Sequence, residues 1–126
     1  MKPDHLTLLV TSLERSMPYY GTLLPALGFA RSKPHVWSSA DGFHLQILEA
    51  RAGTRPYERY GAGMNHLGFS ASTPEEVHAL RATLSMAGFA VADVQDIDGA
   101  IAFFAKDPDG IRFELTYTPP GASVVD

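Results

Sequence analysis

The residues of this chain best suited to chemistry are two histidines and a glutamate in segments that alternate like β-strands. His5 and His66 each precede a leucine, and Glu114 lies within the alternating segment 111–117. Two imidazoles and a carboxylate can form the ligand set of a divalent metal ion that keeps open coordination positions. A carboxylate on a rigid strand can also act as a general base. The residue types therefore predict metal binding or proton transfer.

The segment that carries Glu114 has a counterpart earlier in the chain. The sequence Asp-Gly-Phe-His-Leu-Gln, ending at Gln46, aligns with Asp-Gly-Ile-Arg-Phe-Glu, ending at Glu114, at an offset of 68 residues. His5 aligns with His66 at an offset of 61, and a Gly-Phe pair follows the predicted helix of both copies. The chain is therefore interpreted as a duplicated module of roughly 60 residues, which is too long and present in too few copies for a solenoid.

The sequence predicts one strand, one helix and then three strands in each of the two modules, about 1–55 and 62–118. Strands are predicted where apolar and polar residues alternate, and helices where apolar residues recur at helical spacing. Pro18 and Pro25 lie inside the first predicted helix and are expected to kink or shorten it. The predicted strands span residues 4–11, 29–31, 35–40, 43–49, 64–71, 89–94, 100–106 and 111–117.

The candidate ligands lie on the polar faces of their strands. His5 alternates with an apolar row, and so do Gln46 and Glu114 in the last strand of each module. The Asp-Pro-Asp-Gly turn before Glu114 sets the register of its strand, because proline presets one φ and glycine accepts the positive φ. A pseudo-twofold pairing of the modules brings the two histidines together with Gln46 and Glu114. The amide oxygen of Gln46 then serves as a weaker fourth ligand.

Further side chains are candidates for contact with a substrate. His44 and Arg112 share the face of the ligands, where they hold an anionic substrate or transfer a proton, or are simply solvated. The connection 50–63 is the candidate for a mobile lid. Glu49 takes the ligand position of Gln46 only if the predicted strand 43–49 contains a bulge. The predicted substrate-binding residues are Thr7, Trp37, His44, Tyr57, Tyr60 and Arg112.

Composition limits the classes of protein that this chain can belong to. With 126 residues, 45% hydrophobic and 19% charged, it is expected to form one folded domain. The absence of cysteine excludes disulfides, thiolate metal sites and a cysteine nucleophile. A net charge of −4 argues against nucleic-acid binding. No apolar run approaches a spanning helix and the first residues lack a signal-peptide core, so a cytoplasmic protein without a membrane partner is expected.

The combination of these motifs resembles the vicinal oxygen chelate superfamily. The resemblance lies in the duplicated βαβββ pattern, the His-Leu at the start of both modules, the Gly-Phe after each helix and the motif Asp-Pro-Asp-Gly-x-x-x-Glu. The superfamily includes glyoxalase I, bleomycin-resistance proteins and extradiol dioxygenases. The resemblance covers essentially the whole chain. It implies an α+β fold in which two βαβββ modules curl a mixed sheet around a shared cavity, with helices outside, and a homodimer.

The resemblance carries the superfamily's metal positions onto His5, His66 and Glu114, with Gln46 at the fourth position. It implies a Zn, Ni, Mn or Fe ion, with Glu114 and Gln46 in catalytic roles. Glyoxalase I usually has glutamate where this chain has Gln46. The resemblance therefore implies the superfamily more strongly than the glyoxalase I reaction itself. The first interpretation is a glyoxalase-like metalloenzyme that acts on a small oxygen-bearing substrate as a lyase or isomerase. The alternatives are a metal-independent drug-binding protein of the bleomycin-resistance type and a single-domain dioxygenase.

Overall fold

The secondary structure follows the order strand, helix, strand, strand, strand twice in succession. The structure is a computed structural model, and it describes residues 1–123. The chain divides into two compact units, unit one at Met1–Tyr57 and unit two from Glu58 onwards. Unit one contains β1 (His5–Val10), α1 (Leu13–Ala26), β2 (Ala30–Lys33), β3 (Val36–Ser38) and β4 (His44–Glu49). Unit two contains β5 (His66–Ser70), α2 (Pro74–Met86), β6 (Gln95–Ile97), β7 (Ala100–Lys106) and β8 (Arg112–Tyr117).

Each unit has one four-stranded mixed sheet, and the two sheets have the same topology. The strand orders are β1-β4-β3-β2 and β5-β8-β7-β6, with a parallel first pair and antiparallel neighbours after it. The registers also correspond, since His5 lies opposite His44 in unit one and His66 lies opposite Arg112 in unit two. The predicted α+β class and the duplicated βαβββ order are confirmed.

The helix of each unit packs on its own sheet and covers the apolar rows of the strands. In unit one, α1 buries Tyr20 and Leu24 and contacts β2 and β4, where Leu45 is fully buried. In unit two, α2 buries Val77 and contacts β7 and β8, where Phe113 is 2% exposed. Because side chains alternate along a strand, the residues between these rows face away from the helix. The candidate ligands belong to that second set.

Both helices begin after an N-cap residue with a side-chain hydroxyl. Ser12 accepts a hydrogen bond from the N–H of Arg15 at 3.2 Å, and Thr73 caps α2. The prolines do not shorten α1, which runs from Leu13 to Ala26 with Pro18 and Pro25 inside it, both on its exposed side. Within residues 1–123, neither helix has the length and apolar character that crossing a lipid bilayer requires.

The strand predicted at residues 89–94 is also wrong, because that segment is irregular and β6 begins only at Gln95. The N–H of Phe89 donates to the carbonyl oxygen of Leu84 at 3.1 Å. Nε of Arg81 donates to the carbonyl oxygen of Ala92 at 2.7 Å. These bonds use backbone groups that a strand would need for its ladder.

Candidate functional site

Two of the candidate ligands lie side by side in unit two. β5 and β8 run parallel, with Gly68 opposite Glu114 and His66 two residues earlier on the same face. Nε2 of His66 lies 3.1 Å from Oε2 of Glu114. The side chain of Glu114 is 16% exposed and that of His66 is 37% exposed. The pair is therefore partly shielded and still open to a small molecule.

The turn before β8 sets the position of Glu114. Oδ1 of Asp107 accepts hydrogen bonds from the N–H groups of Asp109 at 2.9 Å and Ile111 at 2.8 Å. Gly110 has a φ of 82°, a conformation that glycine adopts without steric cost. Asp107 is only 5% exposed, so these bonds are shielded from water. These bonds hold the predicted Asp-Pro-Asp-Gly turn in one conformation. The chain therefore enters β8 in one register, which sets the position of Glu114.

Asn65 determines which nitrogen of His66 carries hydrogen. Its Nδ2 donates to the carbonyl oxygen of Arg59 at 3.0 Å, and its Oδ1 lies 2.7 Å from Nδ1 of His66. An amide oxygen only accepts hydrogen bonds, so Nδ1 of His66 must be the donor. The other nitrogen, Nε2, is the one that faces Glu114.

The contact between His66 and Glu114 requires a hydrogen or a cation between its two atoms. A carboxylate oxygen only accepts hydrogen bonds, and Nε2 of an imidazole that carries its hydrogen on Nδ1 has a lone pair. Either a hydrogen on one of the two atoms bridges them, or a cation binds both. At ligand distances of about 2.0–2.1 Å, two neighbouring ligand atoms of one zinc ion lie roughly 3 Å apart. The donor set and its spacing therefore fit a divalent ion.

Three neighbours of this pair were not assigned to the site from the sequence. Thr116, which is 6% exposed, donates its hydroxyl hydrogen to Oε1 of Glu114 and leaves Oε2 for another partner. The ring of Phe104 lies edge-on to that of His66, with centroids 5.9 Å apart. A Cβ at Gly68 would lie 3.9 Å from Oε2 of Glu114, so glycine leaves space beside the carboxylate. Strand alternation could have identified Thr116, since it is two residues from Glu114.

Unit one repeats this arrangement with different chemical groups. Nδ1 of His5 lies 2.6 Å from Oδ2 of Asp4, and the hydrogen bond lowers the pKa of the Asp4 carboxyl. Thr7 lies opposite Gln46 and donates to its Oε1 at 3.2 Å. A hydrogen bond thus links Thr7 to Gln46 in unit one, whereas His66 contacts Glu114 in unit two. Asp4 and Asn65 both directly precede the repeated histidines, which is the sequence signal that relates them.

His44 and Arg112 occupy matching places beside the two histidines. His44 lies opposite His5 and Arg112 lies opposite His66, each in a parallel pair in which facing residues share a side of the sheet. Nδ1 of His44 lies 2.7 Å from the hydroxyl oxygen of Ser38. Both side chains are half-buried. Their positions suit contact with an anionic group bound near the histidines.

The predicted aromatic residues have different surroundings. Trp37 is 1% exposed and lies opposite Leu45, in the row that faces α1, with the guanidinium of Arg31 5.3 Å from its ring. It is a core residue, and we do not include it in the site. Tyr57 is half-buried. Tyr60 is 80% exposed, and the guanidinium of Arg59 lies 4.8 Å from the centroid of its ring.

Glu49 does not take the place of Gln46. β1 and β4 pair continuously without a bulge, and Oε2 of Glu49 accepts the N–H of Leu13 at 3.0 Å. A cavity of about 320 Å³ adjoins Glu49 at the end of β4. It is lined by Thr11 and residues 49–56, none of which is a candidate ligand.

The described part of the chain, residues 1–123, contains no group of three or more histidine, cysteine, aspartate or glutamate side chains arranged to hold a metal ion. His66 and Glu114 are two such side chains, at 3.1 Å. A metal ion bound there would need further ligands beyond these two.

Comparison with known proteins identifies relatives across the length of the chain. The uncharacterized protein YqjT of Bacillus subtilis (strain 168) is 32% identical over 123 residues, covering 88% of this chain and 94% of that protein. A crystal structure of a candidate glyoxalase from Bacillus halodurans matches with a TM-score of 0.77 and 25% identity, covering 92% of this chain and 95% of that one.

A domain from Frankia sp. EAN1pec, described as a glyoxylase/bleomycin resistance protein/dioxygenase, matches with a TM-score of 0.74 and 21% identity. The match covers 93% of this chain and 97% of that one, and it shows a shared fold. The sequence model of the Glyoxalase/Bleomycin resistance protein/Dioxygenase superfamily matches residues 2–115. The chain therefore belongs to the Glyoxalase/Bleomycin resistance protein/Dioxygenase superfamily.

Proposed function

We propose that this chain is a glyoxalase-like metalloenzyme that acts on a small oxygen-bearing substrate as a lyase or isomerase. The supporting observation is the 3.1 Å separation of Nε2 of His66 from Oε2 of Glu114 while Nδ1 of His66 is engaged by Asn65. The proposed ion is divalent Zn, Ni, Mn or Fe. The remaining members of the proposed ligand set are His5 and Gln46.

When bound, a divalent ion supplies Lewis-acid polarisation of substrate oxygens and stabilises the negative charge that develops during reaction. Glu114 supplies the one carboxylate of the proposed set and can accept a proton at Oε2, because Thr116 occupies Oε1. Phe104 shields one side of His66 from water. Gln46 can serve only as a neutral oxygen ligand or hydrogen-bond donor, which distinguishes the two proposed catalytic residues.

Two further features indicate the kind of substrate. His44 and Arg112 lie beside the proposed histidine ligands and can bind a negatively charged group on a small molecule. A similar fold is seen in a lactoylglutathione lyase from Agrobacterium tumefaciens, with a TM-score of 0.65.

Metal analysis of the purified protein tests this proposal. The protein is dialysed against trace Zn, Ni, Mn and Fe together, and the retained metal is measured before and after treatment with a chelator. We expect a stoichiometric divalent ion that the chelator removes, with a lower melting temperature afterwards, since binding to the folded state stabilises it. A protein that retains none of the four ions contradicts the metalloenzyme proposal.

The second candidate is a metal-independent protein that binds a small molecule, as in the bleomycin-resistance type. The supporting observation is that His66 and Glu114 lie within hydrogen-bonding distance of each other, a contact that does not need a metal ion. The net charge of −4 would favour a cationic ligand. Binding of a cationic glycopeptide drug that is unchanged by a chelator, together with absence of retained metal, would support this candidate.

We further propose that the protein is a cytoplasmic homodimer, as the superfamily resemblance and the sequence suggest. Sedimentation equilibrium of the metal-loaded protein tests the dimer. A mass of 13.7 kDa, that of one chain, at all accessible concentrations would contradict it.

A further inference from the structure

Three side chains lie in one row across the strands of unit two. Arg112 of β8 lies opposite His66 of β5 in the parallel pair and opposite Lys106 of β7 in the antiparallel pair. Residues that face each other on paired strands share a side of the sheet, so the row lies on the face that also carries Glu114. Arg112 is half-buried and Lys106 is exposed. The row therefore places two cationic side chains beside the contact between His66 and Glu114.

The pair formed by Lys106 and Arg112 is unfavourable by itself. Like charges directly opposite each other on neighbouring strands destabilise a sheet, and both side chains carry only hydrogen-bond donors. In the part of the chain that the structure describes, neither cation forms an ion pair with a carboxylate. The carboxylate of Glu114 on the same face is engaged by Thr116 and His66. The two cations are thus available to an anionic group from outside the protein.

The corresponding pair of unit one satisfies its own hydrogen bonds. Ser38 of β3 lies opposite His44 of β4, in the place that the two cations occupy between β7 and β8. Nδ1 of His44 lies 2.7 Å from the hydroxyl oxygen of Ser38. A hydroxyl and an imidazole can each donate or accept, whereas an ammonium and a guanidinium can only donate. The same strand topology therefore accommodates a neutral pair, and the fold does not require the cationic one.

We propose that Lys106 and Arg112 bind an oxyanion group, a carboxylate or a phosphate, of the small molecule that this protein acts on. The inference rests on the proposed function in naming that molecule the substrate. The planar guanidinium of Arg112 offers two parallel hydrogen bonds to such a group, and the ammonium of Lys106 adds a second charge. Lys106 is thereby a substrate-binding residue, and unit two alone supplies the anion site.

The neighbouring row of the same face limits the size of the substrate. Phe104 lies opposite Glu114, which lies opposite Gly68, so this row offers an aromatic ring, a carboxylate and open space. Adjacent rows on one face are two residues apart, roughly 7 Å along a strand. A molecule whose oxyanion is held by the cations therefore reaches Oε2 of Glu114 within a few bonds. The substrate implied is short, with its anionic group close to the reacting atom.

The test measures binding of inorganic phosphate and of acetate to the metal-free protein, by titrations followed through backbone amide chemical shifts in β7 and β8. We expect saturable shifts around Lys106 and Arg112, and the anion that binds more tightly identifies the group. Lys106→Gln and Arg112→Gln should each weaken that binding about tenfold or more, because a charge-assisted hydrogen bond is lost. Lys33→Gln is the matched control, since it removes the same charge from an exposed position of β2 in unit one.

A double variant copies the neutral pair of unit one into unit two. Lys106→Ser/Arg112→His should abolish saturable anion binding. Its melting temperature should not fall below that of the wild type, because the repulsion between the two cations is removed. Loss of anion binding together with an intact melting transition would show that the cations serve the ligand and not the fold.

The outcomes separate this inference from the proposed function. Absence of saturable binding of both anions to the wild type overturns the anion site, whatever the metal content of the protein. An equal loss of affinity in Lys33→Gln and Lys106→Gln also overturns it, since a general effect of net charge would then be sufficient. Anion binding that depends on Lys106 and Arg112 in a protein that retains no metal supports the anion site and contradicts the metalloenzyme proposal alone.

Discussion

Nε2 of His66 and Oε2 of Glu114 lie 3.1 Å apart across the parallel strands β5 and β8. Both side chains are restrained by further bonds, His66 through Asn65 and Glu114 through Thr116. The proposed metal site rests on these two groups, each of which has its remaining polar atom turned towards the other.

Replacement of Glu114 by alanine should weaken metal affinity by about an order of magnitude or more, because the set loses its carboxylate. Glu114→Gln should keep the shape and still impair retention. The metal-free Glu114→Ala protein should lose only about 1 kcal/mol of folding free energy, that of the hydrogen bond from Thr116, since Glu114 lies outside the apolar row that α2 covers. Metal content and thermal melting of both variants, with and without chelator, measure this. Retention of wild-type stoichiometry by Glu114→Ala would exclude this strand from the site.

Thr116→Val should weaken metal binding about tenfold, because Oε1 of Glu114 loses the donor that orients the carboxylate. The loss of one buried hydrogen bond should also cost about 1 kcal/mol of folding free energy. Zinc competition and urea unfolding measure the two effects separately. Ser70→Ala is the control, since Ser70 lies opposite Thr116 and is exposed. Equal affinity in the two variants would show that Thr116 does not orient Glu114.

Gly68→Thr should raise the melting temperature of the metal-free protein and lower its affinity for metal. Threonine is favoured over glycine in strands, and Gly68 has no positive φ that requires glycine. Its hydroxyl would reach Glu114 as that of Thr7 reaches Gln46, and would compete for Oε2. Gly68→Ala, whose Cβ would lie 3.9 Å from Oε2, is the control without a hydroxyl. Unchanged affinity in Gly68→Thr would contradict this competition.

Asp41 should contribute to stability at neutral pH and lose that contribution in acid. The hydroxyl of Ser39 donates to Asp41 and lowers the pKa of its carboxyl below the ordinary 3.8. The unfolded chain therefore binds a proton more readily, so stability falls as pH drops from above 3.8 through the lower pKa of the folded state. Melting temperatures at pH 6 and pH 2.5 should converge between the wild type and Asp41→Asn. A difference that stays constant over this range would contradict the linkage.

The sequence alone determined the order of elements and the face on which the candidate ligands lie. Alternation of period two and the turn before Glu114 act over a few residues, and the offset of 68 between Gln46 and Glu114 appears when the chain is aligned with itself, so none of these signals needs a fold to be recognised. The identical registers of the two sheets confirm that interpretation. The expected shortening of α1 does not occur, since the helix continues through Pro18 and Pro25 to Ala26.

Only the tertiary structure decided which groups meet. The approach of His66 to Glu114 and the bond between Arg81 and Ala92 join residues that are not neighbours in the chain, and the latter uses a carbonyl oxygen in the irregular segment 89–94. The orientation of the His66 ring follows from the carbonyl oxygen of Arg59 acting through Asn65, a relation that no alternation pattern contains. Local patterns specify faces and turns, whereas hydrogen-bond partners are selected by the packing of separate strands.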